Sequence, residues 1–206
     1  METSTNVTLQ KTLLYSGAVS GLIFLSVTLL LGILLPEYNS FSQTVSEIGK
    51  VGSQFQQPYA VMLWSVSLFG LIFSYQALKF ALSRRLSMAP IILIATFALL
   101  DAGFALFPSP EPMHNIVGLL HLFGYFSPLI LTITWKQYFI EKQLTNYSAF
   151  AFLIIIVFLI LNLSPMFAPN LYPLEYYGVI QRGLLYSYYG WLVWLSITMT
   201  RQVNNN

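Results

Sequence analysis

The chain has 206 residues, 56% of them hydrophobic and 8% charged, with nine Lys and Arg, seven Asp and Glu, and a formal net charge of +2. A soluble domain is about one quarter charged, and so few charges set against 16 Phe, 13 Tyr and 4 Trp leave too little polar surface to keep such a chain dispersed in water, so soluble folds are excluded. The basic residues are scattered and form no phosphate-tracking patch, which argues against nucleic acid as a partner, and the absence of cysteine removes disulfides, thiolate metal sites and iron–sulfur clusters.

Stretches apolar and long enough to cross about 30 Å of hydrocarbon fall at residues 12–35, 58–80, 89–107, 114–135, 147–165 and 177–200. They predict an all-α, polytopic six-helix bundle that fills 1–206 as a single membrane domain. The first span follows Lys11, but its apolar core is longer than that of a signal peptide and Leu34-Leu35-Pro36-Glu37 has no small-x-small cleavage site, so it reads as a retained anchor. Within it Gly17 and Gly21 form a GxxxG step that lets another helix come close, serving either bundle packing or a homo-oligomer. In the first loop, Phe41, Val45 and Ile48 fall at i, i+4 and i+7, predicting a short amphipathic helix over 39–49, with Ser40 and Gln43 at capping-box spacing and Gly49 as its stop.

The proline pattern agrees with these boundaries. Pro36, Pro108, Pro165 and Pro169 fall just past span ends, while Pro58 and Pro90 fall just inside span starts, where a missing N–H costs nothing. Leu153 to Leu161 in the fifth span is apolar all round and is expected to face lipid. Alternating six spans puts Lys11, Lys79, Arg84, Arg85, Lys136, Lys142 and Arg201 on one side and only Lys50 in a loop on the other, so both termini are expected to be cytoplasmic.

Ionisable residues inside spans are costly and mark candidate sites. Asp101 lies six residues before Phe107, His121 seven after His114, and Arg182 six after Tyr176, so at 1.5 Å per residue all three sit about 9–10 Å below the outer span ends. A cation and an anion in hydrocarbon should pair, so Asp101 is expected to meet Arg182, with His121 hydrogen-bonded to one of them. His114, Gly118, His121 and Tyr125 share one helix face, and Arg182, Tyr186 and Tyr189 form a second inward stripe. Glu47 and Ser46 on the loop helix would close the site from above.

Several chemistries are compatible with this set. A single metal cannot be held by both His114 and His121, which are about 10 Å apart along an unbroken helix; no metal or other cofactor is expected, with zinc on His121, Asp101 and Glu47 as an alternative. A hydrolase would draw on Ser46, His121, His114, Asp101 and Glu47, and a proton-coupled transporter would use Asp101 and His121 as a relay. A structural polar clasp is a further alternative. Binding of a membrane lipid or other amphiphile fits best: Arg182 suits an anionic head group, and Tyr125, Tyr186 and apolar walls suit the tail.

Three segments carry a family resemblance: Tyr38 to Gly49 with its core Gln43-Thr44-Val45-Ser46-Glu47-Ile48-Gly49, Phe107-Pro108 followed by His114 and Gly118, and Gly178-x-x-Gln181-Arg182. In these the chain resembles, over nearly its whole length, a family of bacterial six-span membrane proteins catalogued as domain of unknown function 998. The resemblance implies a bacterial cytoplasmic (inner) membrane location and a site shared by Ser46, Glu47, His114 and Arg182. It assigns no activity.

Overall fold

A computed structural model describes residues 2–136, 142–168 and 174–203 of the chain. Pro169 lies outside the described residues. The long helices are α1 (Glu2–Leu34), α3 (Gln56–Ser83), α4 (Ala89–Leu106), α7 (Lys142–Phe167) and α8 (Tyr177–Gln202); α2 (Val45–Ile48) is a single turn, and the fourth span is divided into α5 (Pro112–His121), a 3-10 segment (Leu122–Phe126) and α6 (Ser127–Trp135). Five stretches are long and apolar enough to cross a membrane: Asn6–Leu34, Gln56–Ser83, Ala89–Leu106, Pro112–Trp135 and Gln143–Phe167. The sixth expected span, α8, is as long as the fifth, at 26 residues. Its apolar character is diluted by Gln181, Arg182 and a run of Tyr, Ser and Thr.

Helix α1 packs on α3, α3 on α4, α4 on both halves of the broken span, α6 on α7, α7 on α8, and α8 returns to α1, closing a ring. One polar residue of α8, Ser196, serves this closure. The Ser196 hydroxyl accepts from the Ala18 N–H at 2.9 Å and donates to the Leu14 carbonyl at 2.6 Å, inserting a side chain into a rung of α1. Gly17 and Gly21 make the approach possible: a Cβ at Gly17 would strike the Phe73 ring, and one at Gly21 would lie 2.8 Å from the Tyr189 carbonyl oxygen. The GxxxG face is thus occupied by contacts within the chain.

Two Ser-Pro pairs modify the helices. Pro128 cannot donate to the Gly124 carbonyl, and the Ser127 hydroxyl does so instead at 2.8 Å. Pro165, expected past a span end, lies inside the last turn of α7, and the Ser164 hydroxyl donates to the Leu161 carbonyl at 2.7 Å. At Ser164 the hydroxyl satisfies an acceptor that proline would strand in hydrocarbon, and at Ser127 it joins the backbone N–H of the same residue on the Gly124 carbonyl. The break after His121 has a second cause, since Gly124 sits against Phe97 with no room for a Cβ.

The loop-one helix is shorter than its periodicity suggests. The Asn39 side chain accepts from the Phe41 N–H at 2.9 Å, a local turn that competes with helix. The helix starts at Thr44, whose N–H donates to the Glu47 carboxylate at 2.8 Å in a capping box, and not at Ser40. Phe41 is 62% exposed while Val45 and Ile48 are buried, so only the last two positions of the expected apolar face are used. In the all-apolar run Leu153–Leu161, Leu153, Val157, Ile160 and Leu161 are exposed, while Ile155 and Leu159 are buried against the bundle. At the other end of the bundle, Arg84 donates to the Gln202 side chain at 3.1 Å and to its backbone carbonyl at 3.0 Å, tying α3 to the C-terminus of α8.

Gly21→Leu is expected to overpack the α1/α8 contact and destabilise the protein by about 2 kcal/mol, read by chemical unfolding in detergent, with no change of oligomeric state on size-exclusion chromatography. A lost oligomer at unchanged stability would contradict the internal use of this face.

Candidate functional site

The first loop enters one end of the ring as largely non-helical backbone, and its carbonyls need donors. Arg182 supplies them. Its Nη1 lies 2.7 Å from the Ser40 carbonyl oxygen, 2.9 Å from that of Gln43 and 3.1 Å from that of Gly178, and its Nη2 donates to the Tyr38 hydroxyl. The Tyr38 hydroxyl in turn donates to the Thr44 carbonyl at 2.7 Å. Burial pushes the Tyr38 phenol above its ordinary range, with the Arg182 guanidinium pulling the other way, so the phenol stays neutral and keeps its proton for Thr44. Just before Arg182 on α8, the Gln181 side chain accepts from the Val45 N–H at 2.7 Å and the Val179 N–H donates to the Phe41 carbonyl at 3.1 Å. A Cβ at Gly178 would collide with the Ser40 and Gln43 carbonyl oxygens. The segment Gly178-x-x-Gln181-Arg182 is therefore the receptor into which the loop folds.

Below this lock lies a cavity of about 670 Å³. Thr44, Val45 and Ser46 of the lid border it, as do Asp101, His114, His121, Tyr125, Asn162 and Gln181, with Leu119, Leu122, Leu163, Leu184 and Leu185 as apolar wall. Asp101 and His121 are 3% and 4% exposed. The Asp101 Oδ2 accepts from the Tyr189 hydroxyl at 2.8 Å, and its Oδ1 lies 3.4 Å from His121 Nε2, within ion-pairing reach but not aligned as a hydrogen bond. Phe97, one turn further in along α4, stacks on His121 at 3.5 Å and on Tyr188 at 3.8 Å between ring centroids and meets Tyr125 edge-on at 5.2 Å. This aromatic layer floors the cavity. His114 places Nδ1 2.9 Å from the Phe107 carbonyl oxygen; a carbonyl can only accept, so Nδ1 carries the hydrogen and Nε2 of the neutral ring is left as an acceptor.

The expected Asp101–Arg182 pair does not form. Arg182 reaches up to the loop, and Tyr189, seven residues or about 10 Å further along α8, is the residue that meets Asp101. Of the expected site residues, Asp101, His121, His114, Ser46 and Tyr125 border the cavity, and Arg182, Glu47 and Tyr186 do not. The Glu47 carboxylate is held by Thr44 and by the Gln43 amide at 3.2 Å, and the Tyr186 hydroxyl lies 3.1 Å from that of Thr28 on α1. Among the described residues no three His, Asp or Glu converge on one point. A search for ionisable groups passes over Asn162, whose Oδ1 is buried without a partner; a lone amide in the apolar run of α7 is the signal that marks it.

A family model described as Protein of unknown function (DUF998) matches residues 18–198. The chain belongs to this family. No curated protein and no solved structure matches it. The matched stretch takes in Tyr38, the loop and Gly178 through Arg182, so both halves of the lock lie within the family's own span.

Two outcomes follow from the geometry. Arg182→Leu is expected to strand the loop carbonyls and lower stability by about 3 kcal/mol, with faster amide hydrogen exchange concentrated in 38–49; exchange that stays slow there would refute the lock. A double-mutant cycle of Asp101→Asn with Tyr189→Phe is expected to show coupling of about 1–2 kcal/mol, whereas Asp101→Asn with Arg182→Leu should add to within about 0.5 kcal/mol because the two share no partner.

Proposed function

We propose that the protein binds or handles a lipid or other amphiphile in this cavity, at the outer leaflet of a bacterial cytoplasmic membrane. The observation that carries the reading is the cavity of about 670 Å³ itself: it lies in the size range of small-molecule sites and joins a polar end under α2 to a leucine-lined wall. Asp101, His121, His114, Ser46 and Tyr125 face the ligand in this reading. Arg182, Glu47 and Tyr186 act behind them, holding the lid and the helix that carry the site. Helix α8, at 26 residues, completes a sixth crossing, and the bias of Lys and Arg to one set of loops supports cytoplasmic termini.

A hydrolytic use of the cavity is the second reading, favoured by the 3.4 Å approach of His121 to Asp101 within it. Ser46, whose hydroxyl lies 3.2 Å from that of Thr44, would be the nucleophile. Turnover of a lipid ester or amide that is lost in both Ser46→Ala and His121→Ala, with binding retained, would select this reading.

Native mass spectrometry with lipid identification tests the main proposal by comparing wild type with Gly118→Leu. A Cβ at Gly118 meets only the Phe104 ring, at 3.9 Å, so leucine there fills the cavity without straining the fold. A co-purifying amphiphile that is depleted in the filled variant is expected; equal occupancy in the two proteins, or none in wild type, would overturn the reading. The orientation has its own test on this cysteine-free chain: a cysteine at Gln54 is expected to react with an impermeant reagent applied from outside, and one at Gln143 is not.

A further inference from the structure

The lining of the cavity carries information about the head group it would hold. Resting on the amphiphile reading, we infer that the site selects an uncharged, hydrogen-bonding head group bearing hydroxyl or amide functions, and that the molecule enters sideways from the leaflet between α5 and α7.

Among the described residues, no Lys or Arg borders the cavity. The nearby cation, Arg182, is engaged by three carbonyl oxygens and the Tyr38 hydroxyl, so it has no open fork for a phosphate. An anionic head group would instead be brought toward Asp101, which is itself an acid and is buried with only Tyr189 and His121 beside it. Placing an anion in that buried space without a cation carries a large desolvation cost.

What the walls do offer is a mixture of neutral donors and acceptors. His121 Nε2 and Asn162 Oδ1 are both buried without an aligned partner, and they stand on the α5 and α7 sides of the space. Gln181 gives its oxygen to the Val45 N–H, which leaves its amide nitrogen as a donor. A hydroxyl both donates and accepts, so a head group of one or two hydroxyls matches this set, and buried polar groups left unmatched would cost stability.

The route in follows from the rim. Leu119 on α5 and Met166 on α7 both border the cavity, yet they are 63% and 81% exposed. Helix α5 packs chiefly on α4, and α7 on α6 and α8, so the two helices flank an apolar slot that opens toward the surroundings of the bundle. A chain lying in that slot stays in hydrocarbon while its head group reaches His121 and Asn162.

The test uses a matched pair of probes, 1-monooleoylglycerol and its phosphate ester 1-oleoyl-glycerol-3-phosphate, added to the full-length protein in phosphatidylcholine nanodiscs, with binding read by thermal shift and by native mass spectrometry. The expected result is binding of the monoacylglycerol at least about tenfold tighter than of the phosphate ester, with no shift from glycerol alone. His121→Phe and Asn162→Leu should each weaken the monoacylglycerol by about tenfold, the loss of one buried hydrogen bond; Asn162→Leu, on the lipid-facing helix, keeps the test independent of the packing of the floor. Equal or tighter binding of the phosphate ester would overturn the head-group inference while leaving the amphiphile reading intact. A shift with glycerol alone equal to that with the monoacylglycerol would overturn the sideways entry of a chain. If neither lipid binds and Gly118→Leu changes no co-purifying species, both readings fall.

Discussion

The architecture at the end of the bundle that holds the first loop depends on one guanidinium. A segment of irregular backbone set into a helical bundle presents carbonyl oxygens that no helix ladder satisfies, and in a low-dielectric setting each such orphan costs more than a typical hydrogen bond returns. Arg182 answers several of them at once, from a planar fork that a lysine could not reproduce. The rest of the lock is arranged around it: Gly178 removes the side chain that would hold the loop away, Gln181 anchors the first N–H of α2, and Tyr38 carries the guanidinium's donation on to Thr44. With the loop held down, Thr44, Val45 and Ser46 form a fixed roof.

Beneath that roof the polar groups occupy a second layer with a different logic. Asp101 has a real partner in Tyr189 and a near partner in His121, and the three are embedded in an aromatic cluster centred on Phe97. The clasp and the site are therefore not alternatives. Tyr189 gives the carboxyl a structural hydrogen bond from below, while the unaligned imidazole faces the space above. The same side chains hold α4, α5 and α8 together and leave one imidazole nitrogen without an aligned partner at the cavity wall.

The amino-acid pattern made the helices legible because hydrocarbon demands long apolar runs, and five of the six stand out by composition. The sixth, read at 177–200 as an apolar stretch, is diluted by polar residues that contact the first loop and neighbouring helices. The importance of Asp101, His121 and Arg182 was visible from their cost inside spans, but their partners were not. Depth along a helix says nothing about rotation around it, nor about how far a loop folds inward, and Arg182 is met by loop carbonyls that carry no mark in the sequence. The break after His121 was readable in principle from Gly124 and Ser127-Pro128. The loop helix was overextended because Phe41, Val45 and Ile48 imitate an apolar face, while the Asn39 turn and the Thr44 and Glu47 pair decide where it begins.

If the proposed amphiphile enters past the exposed rim of Leu119 and Met166, concentration takes on a different meaning for this site. A cavity that fills from the side does not sample a solute dissolved in water; it samples the composition of one leaflet, and its occupancy follows the mole fraction of the ligand there. A sparingly soluble molecule could then saturate the site while its aqueous level stays negligible, and a change in membrane composition would register as directly as a change in ligand supply.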